Sequence, residues 1–450
     1  MSNNSKFSPH IKRLVRTCFF VFILSLISTN AFAQGTSGLY NPVFGAAALA
    51  QGNAFVARAD DATAIHFNPA GLTQLNKAQI SLGATFVLPR VDYHGPSGRE
   101  NMRREINTVP NAYFAMPVVN NRLAAGLGVT VPYGLRGHWR SGGFSKYVIT
   151  EFDLKVTDVS PSLAFKPFSF LSIGAGLNYY HLKSRRKKHI NVGITNSILT
   201  GLPVVPTPDA DQKINEHSDA FGYNIGMLFD ITPRHSVGIS FSSKAVMHVN
   251  GKLRLNNLSG ATAALFGSTD TMVRTRTTAT LPEMVSFGYA YKRNRWSIEA
   301  DLQWTNWSRF DVLEYGFRPS NVLLEADDKD VRQWHNTWSF ALGGEYSVND
   351  SIKARGGYTY HETPVPSRTF EPSVPQSSRH GVFVGGEYRW GEKEPVKIIA
   401  GEKWVDFVFG TIFYEERHIN NAVGNSMGGS VDGRYDIITY MLGTNFNVSF

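Results

Sequence analysis

The stretch YDIITYMLGTNFNVSF, from Tyr435 to Phe450, alternates strictly between apolar and mostly polar residues. Successive side chains of a β-strand point to opposite faces, so the stretch predicts a strand with one apolar surface. A strand at the end of a chain has no later partner in sequence. Its unpaired backbone N–H and C=O groups can bond to an earlier strand, and this pairing closes a barrel.

The same alternation recurs along the chain, most clearly over 171–179 and 296–304. In the second segment, the face opposite Trp296 and Trp304 carries Glu299 and Asp301. A soluble sandwich cannot bury such charges without partners, whereas a membrane barrel turns its apolar face to lipid and keeps a polar interior. The pattern favours a barrel over a secreted soluble β-protein, which the composition alone leaves open.

The connections between the strand-like segments alternate in length. Short polar turns fall at 120–121, 167–169, 232–234, 292–294, 349–350 and 391–393, and long connections at 92–108, 138–150, 188–216, 250–272, 311–330, 361–379 and 415–433. Short turns at one end and long loops at the other are the pattern of outer-membrane barrels. The predicted fold is all-β, a transmembrane antiparallel barrel of about 14 strands.

The N-terminus predicts a cleaved signal peptide over 1–33. Lys12, Arg13 and Arg16 precede an apolar run, and Ala31 and Ala33 supply small residues at the cut. A membrane anchor is the alternative, but the run is shorter than the roughly 20 apolar residues that span a bilayer. We therefore expect export to the bacterial outer membrane.

Composition narrows the class further. Cys18, the only cysteine, lies inside the predicted signal, so the mature chain has no disulfide or thiol chemistry. The formal charge is +9, with a basic cluster at 185–188. Export argues against nucleic acid as the partner. Anionic lipid headgroups, including lipopolysaccharide, or an anionic ligand are the expected partners of these residues.

Residues 34–75 are rich in Gly and Ala and alternate weakly, and they precede a barrel predicted over 76–450. A barrel of this size has a lumen wide enough to hold such a segment as a plug. A disordered periplasmic tail is the alternative. Val43, Phe44, Leu49 and Phe55 make the segment too apolar for a solvated tail. We call 34–75 the hatch.

Several motifs make the chain resemble a known family. The stretch 57–64, ARADDATA, leads to Asn68-Pro69-Ala70-Gly71-Leu72, just after the predicted signal and before the first strand. Further matching motifs begin at Val109, Pro132, Leu281 and Asn306. Together they resemble the FadL/TodX family of outer-membrane transporters of hydrophobic compounds, over essentially the whole mature chain and in the same order.

The resemblance implies a fourteen-stranded barrel plugged by the hatch. It also implies passive uptake of long-chain fatty acids or other hydrophobic molecules. The ligand would be captured outside, held in an inner pocket and released through a lateral gap at the third strand. The transporter would act as a monomer without a cofactor.

The connections 188–216 and 250–272 are unusually apolar for exposed loops. The resemblance implies that they form an external capture groove, and the second loop contributes Leu265 and Phe266. Exposed apolar patches commonly mark binding surfaces. The alternative is that each loop packs a small core of its own.

A fatty acid carboxylate needs a cation or good donors once it leaves water. By resemblance, Lys183 and Arg185 on the fifth strand and His335 on the tenth are the candidates. A histidine gives a weaker, pH-dependent contact, which leaves room for neutral ligands. The alternative for Lys183 and Arg185 is a solvated strand end that meets lipopolysaccharide.

Gly126, Gly128 and Pro132 are the candidates for a lateral opening in the third strand. Proline cannot donate a ladder hydrogen bond and glycine permits kinks, so these residues favour an interrupted wall. The alternative is that Pro132 simply ends the strand at the outer rim. In the hatch, Asn68-Pro69 predicts a turn, which the resemblance implies also anchors a plug that shifts on ligand binding.

An enzyme and a general porin are the two alternative functions. The sequence contains no His-Glu-x-x-His zinc motif and no phosphate loop, and we expect neither an enzyme nor a metal site. A general porin or a structural outer-membrane protein is the second alternative. A porin keeps an open aqueous lumen, whereas this chain devotes its first mature residues to an apparent plug.

Overall fold

The computed structural model describes residues 38–96, 98–326, 328–390, 401–420 and 429–450. The predicted signal peptide and the predicted turn at 391–393 lie outside these residues.

Fourteen antiparallel strands form a closed wall, as the sequence predicts. Their bounds are β1 Gln79–Gly95, β2 Asn107–Val119, β3 Leu123–His138, β4 Glu151–Phe168, β5 Leu171–Ile190, β6 Ala210–Thr232, β7 His235–Ser242 and Ala245–Asn256, β8 Thr271–Leu281 and Met284–Arg293, β9 Trp296–Thr305, β10 Thr337–Ser347, β11 Ile352–His361, β12 Arg379–Trp390, β13 Glu402–Tyr414 and β14 Gly433–Ser449. Each strand pairs with the next. β14 pairs with β1 from Gln79 opposite Ser449 to His94 opposite Arg434, which closes the barrel.

The connections segregate by length, also as predicted. Turns of two to four residues join β2 to β3, β4 to β5, β6 to β7, β8 to β9 and β10 to β11 at one end. The long loops at the other end carry α3 Val192–Thr200, α4 Gly260–Phe266 and α5 Val322–Ala326. The predicted loop 188–216 is too long, because β5 continues to Ile190 and β6 begins at Ala210. Charged residues on these strand ends hide the apolar alternation.

The two faces of the wall differ as the alternation predicts. Apolar side chains point outward from much of the wall, with Leu163, Phe221 and Leu442 exposed by 61%, 65% and 53%. Glu299 and Asp301 are buried on the inner face. Among the described residues, no helix combines the length and apolar character needed to cross a bilayer.

The described part of the hatch, 38–75, is almost entirely buried and packs against inward-facing wall residues. It contains α1 Ala46–Leu49, α2 Ala64–Phe67 and a 3₁₀ helix Pro69–Gln74. Wall glycines permit the close approach. A β-carbon at Gly226 on β6 would overlap Asn68 Oδ1, and one at Gly357 on β11 would overlap the backbone of Gln51. Contacts on such widely separated strands mean that the hatch meets opposite sides of the wall.

Candidate functional site

Asn68 fixes the C-terminal part of the hatch to the wall. Its Nδ2 donates to the backbone oxygens of Val56 and Met227 at 2.8 and 3.0 Å, and its Oδ1 accepts from Ala70 N–H at 3.2 Å. Asn68 therefore caps the 3₁₀ helix, whose first residue is Pro69. The turn predicted at Asn68-Pro69 is therefore a helix N-cap, in which the Asn68 side chain bonds an N–H group that has no partner within the helix.

Two carboxylates on β9 hold the preceding hatch residues. Asp301 Oδ2 accepts from the N–H groups of Phe55 and Val56 at 2.8 and 3.0 Å. Glu299 Oε1 accepts from Ala57 and Arg58 N–H at 2.5 and 3.3 Å. Four consecutive backbone donors thus meet two buried acids, which satisfies N–H groups that burial would otherwise leave unpaired.

A buried ionic network links the hatch to β10 through β13. Arg355 reaches Glu345, Glu387 and Asp406 at 2.7, 2.7 and 2.5 Å. Arg58 of the hatch lies 3.8 Å from Glu345. Removing one member of such a network leaves a buried charge without its partner, which is costly. The network therefore holds the hatch against this side of the wall.

The wall is interrupted between β2 and β3. The two strands pair from Ala112 opposite Val129 down to Val119 opposite Leu123, and the ladder records no pair above Ala112 among the described residues. Between Thr130 and Tyr133, β3 bulges against β4, so Val131 and Pro132 share one opposing position. A bulge bends the strand that carries it, and here it separates β3 from the upper part of β2.

The hatch covers this interruption from the inside. Asn41 N–H donates to Pro132 O at 2.7 Å, and Gly134 N–H donates to Leu39 O at 3.1 Å. These bonds frame an antiparallel bridge between Tyr40 and Tyr133. The start of the described hatch therefore pairs with β3 at the bulge.

The predicted opening residues do not share one environment. Gly126 and Gly128 pair with both neighbouring strands, and a β-carbon on either would press on Ile65 of α2. Pro132 lies in the bulge, and β3 continues beyond it to His138. Pro132 therefore does not end the strand. The interruption lies at 130–134, and the two glycines make room for the hatch.

A mostly apolar cavity lies beneath the long loops. Leu39 and Tyr133, from the covered interruption, line one side of it. Its other walls include Phe152, Leu182, Met247, Leu281, Phe310 and Trp334. Apolar walls with a few polar groups are typical of pockets that bind small hydrophobic ligands.

One end of the cavity is ionic. Arg186 of β5 donates to Tyr315 Oη at 2.5 Å and lies 3.6 Å from Glu216. Arg332, on the loop between β9 and β10, contacts Asp330 and Glu371, each at 2.6 Å. Burial would raise the pKa of Asp330, but the guanidinium groups of Arg332 and Arg186 outweigh it and lower that pKa. Both arginines are already engaged by acidic side chains.

The structure does not bring the predicted carboxylate-binding residues to this cavity. Lys183 and Arg185 are on the outer face of β5, and His335 is exposed beside Pro364. Their sequence neighbours Arg186 and Trp334 line the cavity instead. Arg186 belongs to the basic cluster at 185–188. It lies an even number of residues from the buried Tyr180, so the alternation of the strand places both side chains on the inner face.

The two apolar loops pack together. Asn196 of α3 donates to Ser259 O at 3.2 Å and accepts from Thr262 N–H at 2.8 Å. Phe266 is partly buried on a shared core that includes Val192, Leu253, Leu258 and Leu324, and Leu265 is partly exposed. The exposed apolar residues of the pair are elsewhere: Ile198, Leu202 and Val205 are 68%, 64% and 65% exposed.

Comparison with known proteins agrees with this architecture. The family model of outer membrane protein transport proteins (OMPP1/FadL/TodX) matches residues 24–450. The long-chain fatty acid transport protein of Escherichia coli K12 is 24% identical over 469 residues, which cover 95% of this chain and 97% of that protein. A 47 kDa outer membrane protein of Pasteurella multocida is 26% identical over 378 residues, covering 81% and 84%.

Solved structures share the fold. A FadL homologue of Pseudomonas aeruginosa matches with a TM-score of 0.81 at 20% identity, over 92% of this chain and 100% of that one. The toluene transporter TodX of Pseudomonas putida matches with a TM-score of 0.67 at 15% identity, over 90% and 98%.

Proposed function

The chain belongs to the outer-membrane transport family of FadL and TodX, which carries hydrophobic compounds, and we propose that it takes up such compounds by passive diffusion along one internal route. Ligand is captured by the long loops, held in the cavity and released through the wall at β3. The hatch, 34–75, closes this route as a plug between transport events.

The observation that carries this proposal is that the cavity adjoins the interrupted wall. Leu39 and Tyr133 line the cavity; Tyr133 is one partner of the bridge that covers the bulge, and Leu39 O accepts one of its two flanking hydrogen bonds. A ligand in the cavity therefore needs only a small shift of 39–41 to reach the gap above Ala112. Apolar molecules that leave there enter lipid directly, without crossing water.

The closed interruption carries buried polar atoms that favour a hatch able to move. Within the described residues, the Asn41 side-chain amide, Asn107 Oδ1 and Thr130 Oγ1 are buried and make no hydrogen bond. Each such group costs free energy while it stays unpaired. Displacement of 39–41 would expose them to water or to a passing ligand, which lowers the cost of opening.

The charge inventory of the cavity favours ligands without a free carboxylate. Arg186 and Arg332 face Glu216, Asp330 and Glu371, so an incoming carboxylate would meet three acids beside two arginines. Within the described residues, Glu216 Oε1, Arg332 Nε and Trp334 Nε1 are buried without hydrogen-bond partners. An alcohol or phenol hydroxyl can donate to Glu216 and accept from Arg332 or Trp334. We therefore assign neutral, hydroxyl-bearing hydrophobic compounds as preferred ligands over fatty acid anions.

Uptake by a deletion strain that carries a plasmid copy tests the route. Ala279→Trp fills the cavity from β8, and Ala175→Trp places the same bulk on the exposed outer face of β5. We expect Ala279→Trp to abolish uptake and Ala175→Trp to leave it unchanged. Equal uptake by both variants would refute transport through the cavity, and a large steady ion conductance in planar bilayers would favour the porin alternative.

The ligand class is tested by comparing 1-hexadecanol with hexadecanoate in binding to purified protein. A ligand whose hydroxyl pairs with charged groups of the site binds roughly 10- to 100-fold more tightly than a ligand that leaves those groups unpaired. We therefore expect the alcohol to bind at least tenfold more tightly than the carboxylate. Glu216→Gln should narrow this ratio by improving carboxylate binding. Tighter binding of hexadecanoate by the wild type would overturn the assigned class but not the transport route, whereas failure to bind either would count against the route itself.

A further inference from the structure

The outer face of β5 through β8 carries a dense basic patch at its loop end. Eight basic side chains belong to it: Lys183, Arg185, Lys187, Lys213, Lys252, Arg254, Arg274 and Arg276. We call this set the basic patch. The transport route does not use it, because the route runs along the opposite face of the same strands.

The strand register places these residues in adjacent rows. In one row, Arg185 is opposite Asn215, which is opposite Lys252, which is opposite Arg274. In the next row towards the loops, Lys187, Lys213 and Arg254 follow one another across three strands. Directly opposed residues on one face lie about 5 Å apart, close enough for like charges to repel each other.

Within the described residues, the ion pairs made by the patch lie at its β4 edge. Glu151 of β4 contacts Lys187 and Arg185 at 2.5 and 3.7 Å. Among the described residues, no acidic side chain lies within ion-pair distance of Lys252, Arg254, Arg274 or Arg276, and all four are exposed. The remaining positive charge is therefore available to anions outside the protein.

The position of the patch along the wall identifies the source of those counter-charges. Just below it on the outer face, Tyr179 and Phe221 pack as a tilted aromatic pair with ring centroids 5.4 Å apart, and apolar residues such as Leu177 and Ile225 follow. Aromatic residues mark the boundary of the hydrocarbon band in outer-membrane barrels, and the long loops mark the outer side. Lys183 is four residues, or about 14 Å of strand, beyond Tyr179. The patch therefore lies at the headgroup level of the outer leaflet.

We infer that the basic patch is a binding site for the phosphate groups of lipopolysaccharide. Arginine binds phosphate through two parallel N–H donors, and Lys supplies a point charge. The four strands span about 14 Å, so the patch can engage more than one phosphate of a single lipid. Direct contact with arginine also replaces the divalent cations that otherwise bridge these phosphates, so binding should persist in a chelator.

Matched triple variants of the purified full-length chain test the inference. Arg254→Gln/Arg274→Gln/Arg276→Gln removes three charges from the patch. Arg234→Gln/Lys292→Gln/Arg293→Gln removes three exposed charges from the short-turn end of the same part of the wall. Heat-modifiable migration on gels confirms that both variants are folded barrels. Binding of deep-rough lipopolysaccharide, phosphatidylglycerol and inorganic phosphate is then measured by native mass spectrometry with EDTA present.

Each Lys or Arg near an anionic lipid surface contributes about fivefold, so we expect the patch variant to bind lipopolysaccharide roughly 100-fold more weakly. The control variant should bind it like the wild type. Equal binding by the patch variant, or an equal loss in the control, would overturn the inference. Equal affinity of the wild type for phosphatidylglycerol would also overturn it, as would displacement of the lipid by inorganic phosphate, since either would show a general anion surface.

Discussion

Asp301 of the barrel wall accepts a hydrogen bond from the backbone N–H of Val56 at 3.0 Å, across 245 positions of sequence. The same carboxylate oxygen accepts from Phe55 N–H at 2.8 Å. A single wall residue thus fixes the backbone of the hatch without recognising any hatch side chain. The anchor constrains where the hatch sits while leaving its sequence free at these two positions.

Asp301→Ala should loosen the hatch and leave the barrel folded. A buried N–H group left without its acceptor costs about 1–3 kcal/mol, so leaving two unpaired should cost about 3 kcal/mol locally. We expect faster amide hydrogen exchange at 55–57, measured by mass spectrometry. Asp219→Ala is the matched control, because Asp219 is exposed on the outer face and contacts Tyr179 and His181. Unchanged exchange at 55–57 in Asp301→Ala would contradict the anchor.

A disulfide between positions 40 and 133 should lock the interruption shut. The pair is a non-hydrogen-bonded antiparallel bridge, in which α-carbons are about 4.5 Å apart, and that separation suits a disulfide. We expect the oxidised Tyr40→Cys/Tyr133→Cys protein to lose uptake and dithiothreitol to restore it. Each single cysteine variant controls for loss of the aromatic ring. Normal uptake by the oxidised double variant would mean that ligand leaves by another path.

His66 should make the packed hatch less stable as the pH falls. Its ring stacks on Phe44 with centroids 3.4 Å apart, and burial lowers its pKa from the ordinary 6.5 to about 3. Between these values the released hatch binds a proton that the packed hatch does not, so packing weakens as pH falls below 6.5. Asp61 acts in the opposite direction: burial raises its pKa to about 6, so its stabilising protonation is lost as pH rises through that value.

His66→Phe isolates the histidine contribution. We expect the packed hatch of the variant to become more stable, relative to that of the wild type, as the pH is lowered from 7.5 to 5. The difference should reach at most about 2 kcal/mol, because His66 borders an internal cavity. Protease resistance of the hatch across this pH range measures the change. A constant difference between variant and wild type would indicate that packing of the hatch does not shift the pKa of His66.

Two pairs of loop substitutions separate capture from loop packing. Leu202→Ser/Val205→Ser alters exposed residues, whereas Leu265→Ser/Phe266→Ser also removes Phe266 from the core shared by the two loops. If the exposed residues capture ligand, the first pair should slow uptake several-fold with the loops intact, and the second should slow it and also raise loop protease sensitivity. Unchanged uptake in both pairs would contradict capture by these loops.

The sequence predicts the barrel well because its signal is repetitive. Each strand needs only an outward apolar set, and Ile298, Leu302 and Leu442 show the same period as dozens of others. The predicted inner position of Glu299 and Asp301 follows from the same period and is confirmed. Strand ends are predicted less well, because above the lipid the outer face becomes basic, as at Lys213 and Arg254, and the apolar alternation disappears.

The candidate site is predicted less well, because an alignment error of one residue moves a side chain to the opposite face of its strand. Lys183 and Arg185 share the outer face, while Arg186 faces the cavity with Glu216. Matching by neighbouring motifs is accurate to a few residues, but a strand tolerates no error in parity. Arg332 and Glu371 come from two different long loops. Their meeting depends on loop folds for which the sequence offers no period.

Pairing of β1 with β14 has a consequence for biogenesis. The first strand keeps an unpaired edge until the last has been delivered, so no partial chain can seal itself against the membrane. The hatch precedes β1 in the chain and contacts opposite sides of the lumen. We therefore expect it to be enclosed before β14 pairs with β1, while the strands still form an open sheet. A protein truncated before Gly433 should therefore stall during insertion and be degraded, however well its earlier hairpins form.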